Sequence, residues 1–427
     1  MITSTGLRAD IVRDRFKQWT VASLLATFFA VGAEAPASAA TVGHTPRGTI
    51  VINGEREFTL GLSTGPPWRA VTPSGIDALS ALSESGIMLY RIGPPHTGWG
   101  YQIGAIDQNV ETVRDRLAAV AAVGSLGWVN LLKLARAEPG SSRSTALTQV
   151  LTALRAEAGL AMWKGADEPW WSGIRPADLR HGYRLVTALA PDNPMVTIQA
   201  PRGTAKDLRP YSAVTHAHGV NIYPVKYHER DAQLHDVGRW TRRLARVTPN
   251  HMVLTTLQIC SQASFDHTGS RGYRQPTRRQ ERYMIYDAIL NGARGLFFFG
   301  GQNKHCLNKR DRALGWNWTF WRQVLRPLVH EVGSHGDIYP ALLHPGTGIR
   351  IRSSDSQVQV MSRRVNGELW VIAASRRDGA HTVRLSGLPG VLTTGRRYPA
   401  GSNVRVRDGV LTDRFNRWTV RVYRFTL

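Results

Sequence analysis

The chain has 427 residues, 42% of them hydrophobic and 20% charged, with 54 Lys and Arg against 31 Asp and Glu and a formal net charge of +23. This length and apolar content exclude a disordered or fibrous chain and exceed what one core usually fills, about 250–300 residues. The positive field gathers polyanions and says nothing about fold. Neither zinc-finger spacing nor an RNA-recognition signature accompanies it, so nucleic acid is not expected as a partner. An acidic polysaccharide or an anionic cell envelope fits it better, and a GC-rich genome is the bland alternative.

In chain order, a basic stretch (Arg8, Arg13, Arg15, Lys17) precedes an apolar run from Trp19 to Val31 and small residues at Ala37-Ser38-Ala39. This is the three-part pattern of a secretory signal peptide over residues 1–39, and the run is too short to span a bilayer. An uncleaved anchor is the alternative. The expected location is outside the cytoplasm, secreted or at the cell envelope. Residues 40–58, with a turn at Asn53-Gly54, form a hairpin or linker that either closes a barrel floor or joins a later domain.

Strand candidates follow at Thr59–Ser63, Ile87–Ile92, Trp128–Leu134, Leu160–Gly165, Met195–Ile198, Gly219–Tyr223, Met252–Gln258 and Gly295–Phe299. Between them lie amphipathic stretches over Gln108–Val123, Ser144–Ala158, Ala232–Ala245 and Thr277–Leu290, with apolar residues three and four apart. Strands separated by helices pair in parallel, and eight such units close a (β/α)8 barrel, here over 59–338, with a last helix near Trp318–Val332. After 345 the pattern alternates, as in Val358–Met361, Leu369–Ala373, His381–Leu385 and Trp418–Tyr423, with turns at Asn366-Gly367 and Asp408-Gly409. Period two with such turns predicts a small antiparallel β-sandwich over 345–427. Only Cys260 and Cys306 occur. They follow the seventh and eighth strands, neighbours in a closed barrel, so in an exported protein they predict a disulfide.

Asp167-Glu168-Pro169 closes the fourth strand and leads into Trp170 and Trp171. Active sites of parallel barrels lie at the carboxyl ends of the strands, which makes these two acids candidates for chemistry. The stretch Trp163–Pro169 resembles the Asn-Glu-Pro motif of the clan of retaining (β/α)8 glycoside hydrolases, with Asp167 where the clan has Asn. The resemblance extends to Gly219-Val220-Asn221-Ile222-Tyr223-Pro224, to Gly292-Ala293-Arg294-Gly295 and to the trailing sandwich. It implies glycoside hydrolysis without a cofactor or metal, with Glu168 as the acid. A solvated Glu at a helix N-terminus is the structural alternative. Asp167 either holds Glu168 protonated by like-charge repulsion or bonds local amides.

The chain departs from that clan at the seventh strand, which ends on Gln258 where the resemblance calls for a carboxylate nucleophile. Asp266 or Glu229 could instead serve as the base of an inverting mechanism, which tolerates carboxyl separations of about 6.5–9.5 Å. The remaining alternative is a barrel that binds sugar without cutting it. Trp68, Trp99, Tyr101, Trp170, Trp171, Tyr223 and Trp316 fall at or beyond strand ends, where flat faces stack on sugar rings while His96, Asn221, Gln258 and Asn303 bond hydroxyls. Core packing is the alternative for each aromatic singly, and His96 and His305 also read as satisfied loop histidines. Neither a phosphate loop nor His-Glu-x-x-His occurs, which argues against nucleotide and zinc-protease chemistry.

Overall fold

The structure, a computed structural model, describes residues 39–94, 98–100, 105–226, 233–261 and 274–427. The leader, His96, Tyr101, Glu229 and Asp266 therefore lie outside the described residues. The chain opens with three short antiparallel strands, β1 (Val42–His44), β2 (Ile50–Ile52) and β3 (Glu55–Glu57). Ala40, Val42, Ile50 and Ile52 pack into one cluster with Leu89, Met162, Met252 and Phe297 from inside the barrel. This small sheet stoppers the barrel at its floor.

The barrel strands are β4 (Thr59–Leu62), β5 (Leu89–Ile92), β6 (Leu126–Asn130), β7 (Leu160–Asp167), β8 (Met195–Gln199), β9 (Ala217–Ile222), β10 (Met252–Gln258) and β11 (Gly295–Phe299). All pair in parallel, and β11 closes on β4 with Gly295 opposite Thr59. Each of the eight expected strands is present, because a strand buried on both faces shows as a continuous apolar run. One expectation ran too far: the third strand ends at Asn130, not Leu134. There the Asn130 side-chain oxygen accepts from the Leu132 amide at 3.3 Å, Leu132 turns to φ +53°, and Leu132–Arg136 coils into a 3₁₀ helix.

The expected helices occur over Ala105–Ala122, Ser142–Leu154, Asp236–Val247 and Arg278–Leu290. Pro176–Leu189 adds one that periodicity had not marked; Pro176 pre-sets its first turn, and the Asp178 carboxylate accepts from the Arg175 amide at 2.9 Å. The last helix is broken into Trp318–Phe320, a π turn at Trp321–Leu325 and Arg326–Val332. Pro327 lacks the N–H that would continue the α pattern, so the ladder widens just before it.

Beyond the barrel come β12 (Arg352–Ser353), β13 (Val358–Val365), β14 (Glu368–Ser375), β15 (His381–Ser386), β16 (Thr394–Tyr398), β17 (Asn403–Arg407), β18 (Val410–Phe415) and β19 (Val420–Thr426). They form one antiparallel ladder in the order β12-β15-β18-β17-β16-β19-β14-β13. It wraps over a single core, since Leu369 and Val371 of β14 share a cluster with Val383 and Leu385 of β15 and Leu411 of β18. Asn366-Gly367 and Asp408-Gly409 make the tight turns with positive φ throughout, as two-residue hairpins require.

β14 is not the half-buried strand its alternation suggested. Leu369, Val371 and Ala373 face the sandwich core, whereas Trp370, Ile372 and Ala374 pack in the barrel's helical layer. A buried ion pair spans the same seam: the Arg282 guanidinium grips Glu331 at 2.7 and 2.9 Å and donates to the Val420 carbonyl at 2.8 Å. No helix among the described residues is long and apolar enough to cross a membrane.

Candidate active site

Side chains two apart on a strand share a face, so inward-pointing positions can be followed up the barrel. They change character with height: Leu89 gives way to Arg91, Met162 to Lys164 and Gly219 to Asn221. The floor is apolar and the mouth is ionic. Lys164 is 3% exposed and its ammonium meets the Asp167 carboxylate at 3.0 Å. Burial pulls the Lys164 pKa down, Asp167 resists that, and the neighbouring Arg91 adds to it. Arg91 is likewise pulled down by burial and held up by the charges of Asp167 and Tyr223.

The two acids reach this mouth through an irregularity in β7. Against β8, Trp163 pairs with Met195, Lys164 with Val196 and Asp167 with Ile198, so three steps on one strand oppose two on the other. Such a bulge bends a strand and re-aims its side chains. Glu168 then takes φ +48°, a left-handed conformation costing a non-glycine residue about 1–3 kcal/mol. It is held there by its amide bonding to the Ile198 carbonyl at 2.6 Å and by its own carbonyl accepting from Ser172 at 2.9 Å. In a regular strand, consecutive residues point to opposite faces. Bulge and left-handed turn together let Asp167 bond Lys164 while Glu168 accepts from the Asn221 amide at 2.8 Å.

Glu168 is half-buried, and burial is the main cause that raises its pKa above the ordinary carboxylate range. The Asn221 hydrogen bond opposes the rise, Asp167 adds to it, and Lys164 and Arg202 offset part of it. Tyr223 lies near both acids, which, after burial, push its phenol further up, and its ring stacks on Phe299 with centroids 5.4 Å apart. Trp171 stands 54% exposed beside the acids, with the Arg202 guanidinium 3.7 Å above its ring. Trp170 is half-buried, its amide 3.4 Å from the Gln199 side-chain oxygen. A carboxyl held toward its neutral form beside an exposed aromatic can donate a proton to a ligand oxygen.

No protein-family model and no curated protein sequence matches this chain. Solved structures do resemble it. A glycoside hydrolase superposes with a TM-score of 0.59 at 12% identity, over 90% of this chain and 96% of the other. A family 5 glycoside hydrolase from Bacteroides vulgatus gives 0.58 at 10% identity, over 90% and 93%. An Anoxybacillus α-amylase gives 0.55 at 12% identity, over 87% and 98%. The fold is that of (β/α)8 glycoside hydrolases. Identity this low speaks to fold alone, and the site has to be judged on its own geometry.

Several residues expected in the site of this glycosidase-like barrel sit elsewhere. Gln258 is fully buried, donating to the carbonyls of Val225 and Cys260 at 2.8 and 2.7 Å and accepting from the Val225 amide at 2.7 Å. It pins the loop after β9 to the end of β10 and offers no surface to a sugar. Trp99 and Trp316 are 2% and 0% exposed, and their indole N–H groups bond the carbonyls of Asn130 and Thr64 at 2.9 Å. Both are core struts that tie strand-end loops together, not stacking platforms. Trp68 packs half-buried on the helical flank under the Arg116 guanidinium. Asn303 caps a short 3₁₀ turn, accepting from His305 at 3.1 Å.

The disulfide is formed as expected, joining the loops after β10 and β11 with Cα atoms 5.8 Å apart. Reasoning from sequence passed over Arg91 and Lys164. The signal was available: a strand buried on both faces has no ordinary reason to carry a Lys, and such a charge marks a site.

Proposed function

We propose that this chain is an exported glycoside hydrolase that cleaves a polysaccharide or glycoconjugate, with Glu168 protonating the departing glycosidic oxygen. The observation that carries the reading is Glu168 itself: at the end of the fourth barrel strand, bulged and turned to meet Asn221, with burial favouring its protonated form. Asp167 and Lys164 form the charged pair beside it and set how readily it gives up its proton. The motif that holds it diverges from the retaining clan at two places, Asp167 for Asn and Gln258 for the nucleophile. The second carboxylate is assigned to Asp266, or failing that Glu229, acting on a water in an inverting displacement.

Gln258 also favours a second reading, a non-catalytic carbohydrate-binding barrel at the cell envelope, because its amide is committed to main chain and replaces the group that would attack. The two separate on Glu168→Gln, an isosteric change that removes only the transferable proton. Hydrolysis of a polysaccharide panel should fall by about 10²–10⁴-fold, with binding nearly intact and the first-formed anomer inverted by NMR. A Glu168→Gln protein as active as the parent refutes the acid assignment; a parent that binds glycan and cuts none leaves the binding barrel.

A further inference from the structure

The helix Asp236–Val247 carries Arg239, Arg242, Arg243 and Arg246, spaced i, i+3, i+4 and i+7, while Val237, Trp240, Leu244 and Val247 are buried beneath. That spacing puts four guanidinium groups on one face, where like charges repel instead of pairing. Arg376, Asn291 and Gln359, with His235 at the helix's own N-cap, line a concavity of about 390 Å³ along the stripe. Arg239 is paired to Asp236 at 3.0 Å. Arg242 bonds the Gln359 oxygen at 2.9 Å, and Arg243 bonds the Gly203 carbonyl at 2.5 Å and lies 4.1 Å over the Trp240 ring. Among the described residues no carboxylate lines this concavity. It is a cluster of planar, doubly donating cations, three of them held in position, with one carboxylate, Asp236, on Arg239 and another, Asp287, buried behind Asn291 and Gln359.

The concavity is joined to the barrel mouth. Gly203, which takes the bond from Arg243, is packed so closely under Trp170 that a Cβ there would lie 3.1 Å from the ring. Arg202, next in the chain, covers Trp171, and Ala205 lines the concavity. Arg202 to Ala205 is three residue steps, at most about 11 Å. The volume is that of a small-ligand pocket and admits a few residues of a single flexible chain, not a duplex.

We propose that this arginine groove binds the anionic groups of an acidic glycan, carboxylated or sulfated, and leads that chain across the Arg202–Ala205 segment to Trp171 and Glu168. The site rests on the helix stripe and its cavity; the naming of a glycan as the occupant rests on the glycosidase reading of the mouth. The test is equilibrium binding of the full exported chain to polygalacturonate and to heparin, with dextran as the neutral probe and oligothymidylate of equal charge as the nucleic-acid probe.

The parent should bind one of the acidic glycans and not dextran, with affinity falling as salt rises. Arg246→Glu/Arg376→Glu should raise Kd at least about ten-fold with the circular dichroism unchanged. Arg405→Glu/Arg407→Glu, the same charge change on exposed positions of β17, should stay within about two-fold. The proposal is overturned if neither acidic glycan binds, if both double variants weaken binding alike, or if oligothymidylate binds as tightly and displaces the glycan. Because binding is read without turnover, a groove that holds acidic glycan on a barrel that cuts nothing ends the hydrolase reading only. A barrel that cuts glycan with an indifferent groove ends this proposal only.

Discussion

Restoring a carboxylate at the end of β10 looks like the simplest way to make a retaining enzyme of this barrel, and the structure says Gln258→Glu will fail. The amide donates two hydrogen bonds, to Val225 and Cys260, from a site with no solvent exposure. A protonated Glu keeps one donor and orphans one carbonyl, at about 1–3 kcal/mol. An ionised Glu loses both donors, sets carboxylate oxygens against two carbonyls and buries a charge, for about 3–6 kcal/mol in all. The new carboxyl therefore titrates above its unfolded value of about 4.3. A raised folded pKa means that the stability of the protonated form is present at low pH and lost as pH rises through that pKa. Urea unfolding followed by tryptophan fluorescence should accordingly give a gap between parent and variant of about 2 kcal/mol near pH 4, widening to 4 or more by pH 8. A variant as stable as the parent at pH 8, or one that gains retaining hydrolysis, would show that Gln258 is not locked to main chain and refute the reasoning.

Lys164→Met removes a buried ammonium whose partner Asp167 is largely solvated, so thermal unfolding should show stability unchanged or raised by about 1 kcal/mol. The same change removes one of the cations that hold the Glu168 pKa down, so the alkaline limb of hydrolysis, where Glu168 loses its proton, should move to higher pH; an unmoved limb in the pH–rate profile counts against Glu168 as the acid. Replacing Cys260 and Cys306 together by Ser opens a link between residues 46 apart, worth about 4 kcal/mol in chain entropy, and should lower Tm by about 5 °C in non-reducing buffer.

The barrel was legible because its strands are parallel and buried on both faces, so each shows as an unbroken apolar run. The sandwich was half legible. β17, reading Asn-Val-Arg-Val-Arg, buries only Val404 and Val406 between exposed arginines, which makes it faint beside Leu369–Ala373. Asp167 and Glu168 stood out because acids directly follow a hydrophobic run. Trp99 and Trp316 were misread for a physical reason: an aromatic near a strand end serves a ligand or a loop equally well, and only the indole's partner, here a carbonyl, decides. Gln258 posed the same difficulty, since nothing in the order of residues tells that Val225, thirty-three positions earlier, takes up its amide.

The double burial of β14 has a bearing on inheritance. A sandwich hung on a linker can be traded between proteins as a unit, each partner keeping its own core. Here one strand contributes odd-numbered side chains to one core and even-numbered ones to another. A substitution on one face is judged by one packing and a substitution on the other face by the second, and a one-residue slip would exchange them. The two halves of this chain are thus bound to change together, and a transplanted barrel would have to bring its sandwich with it.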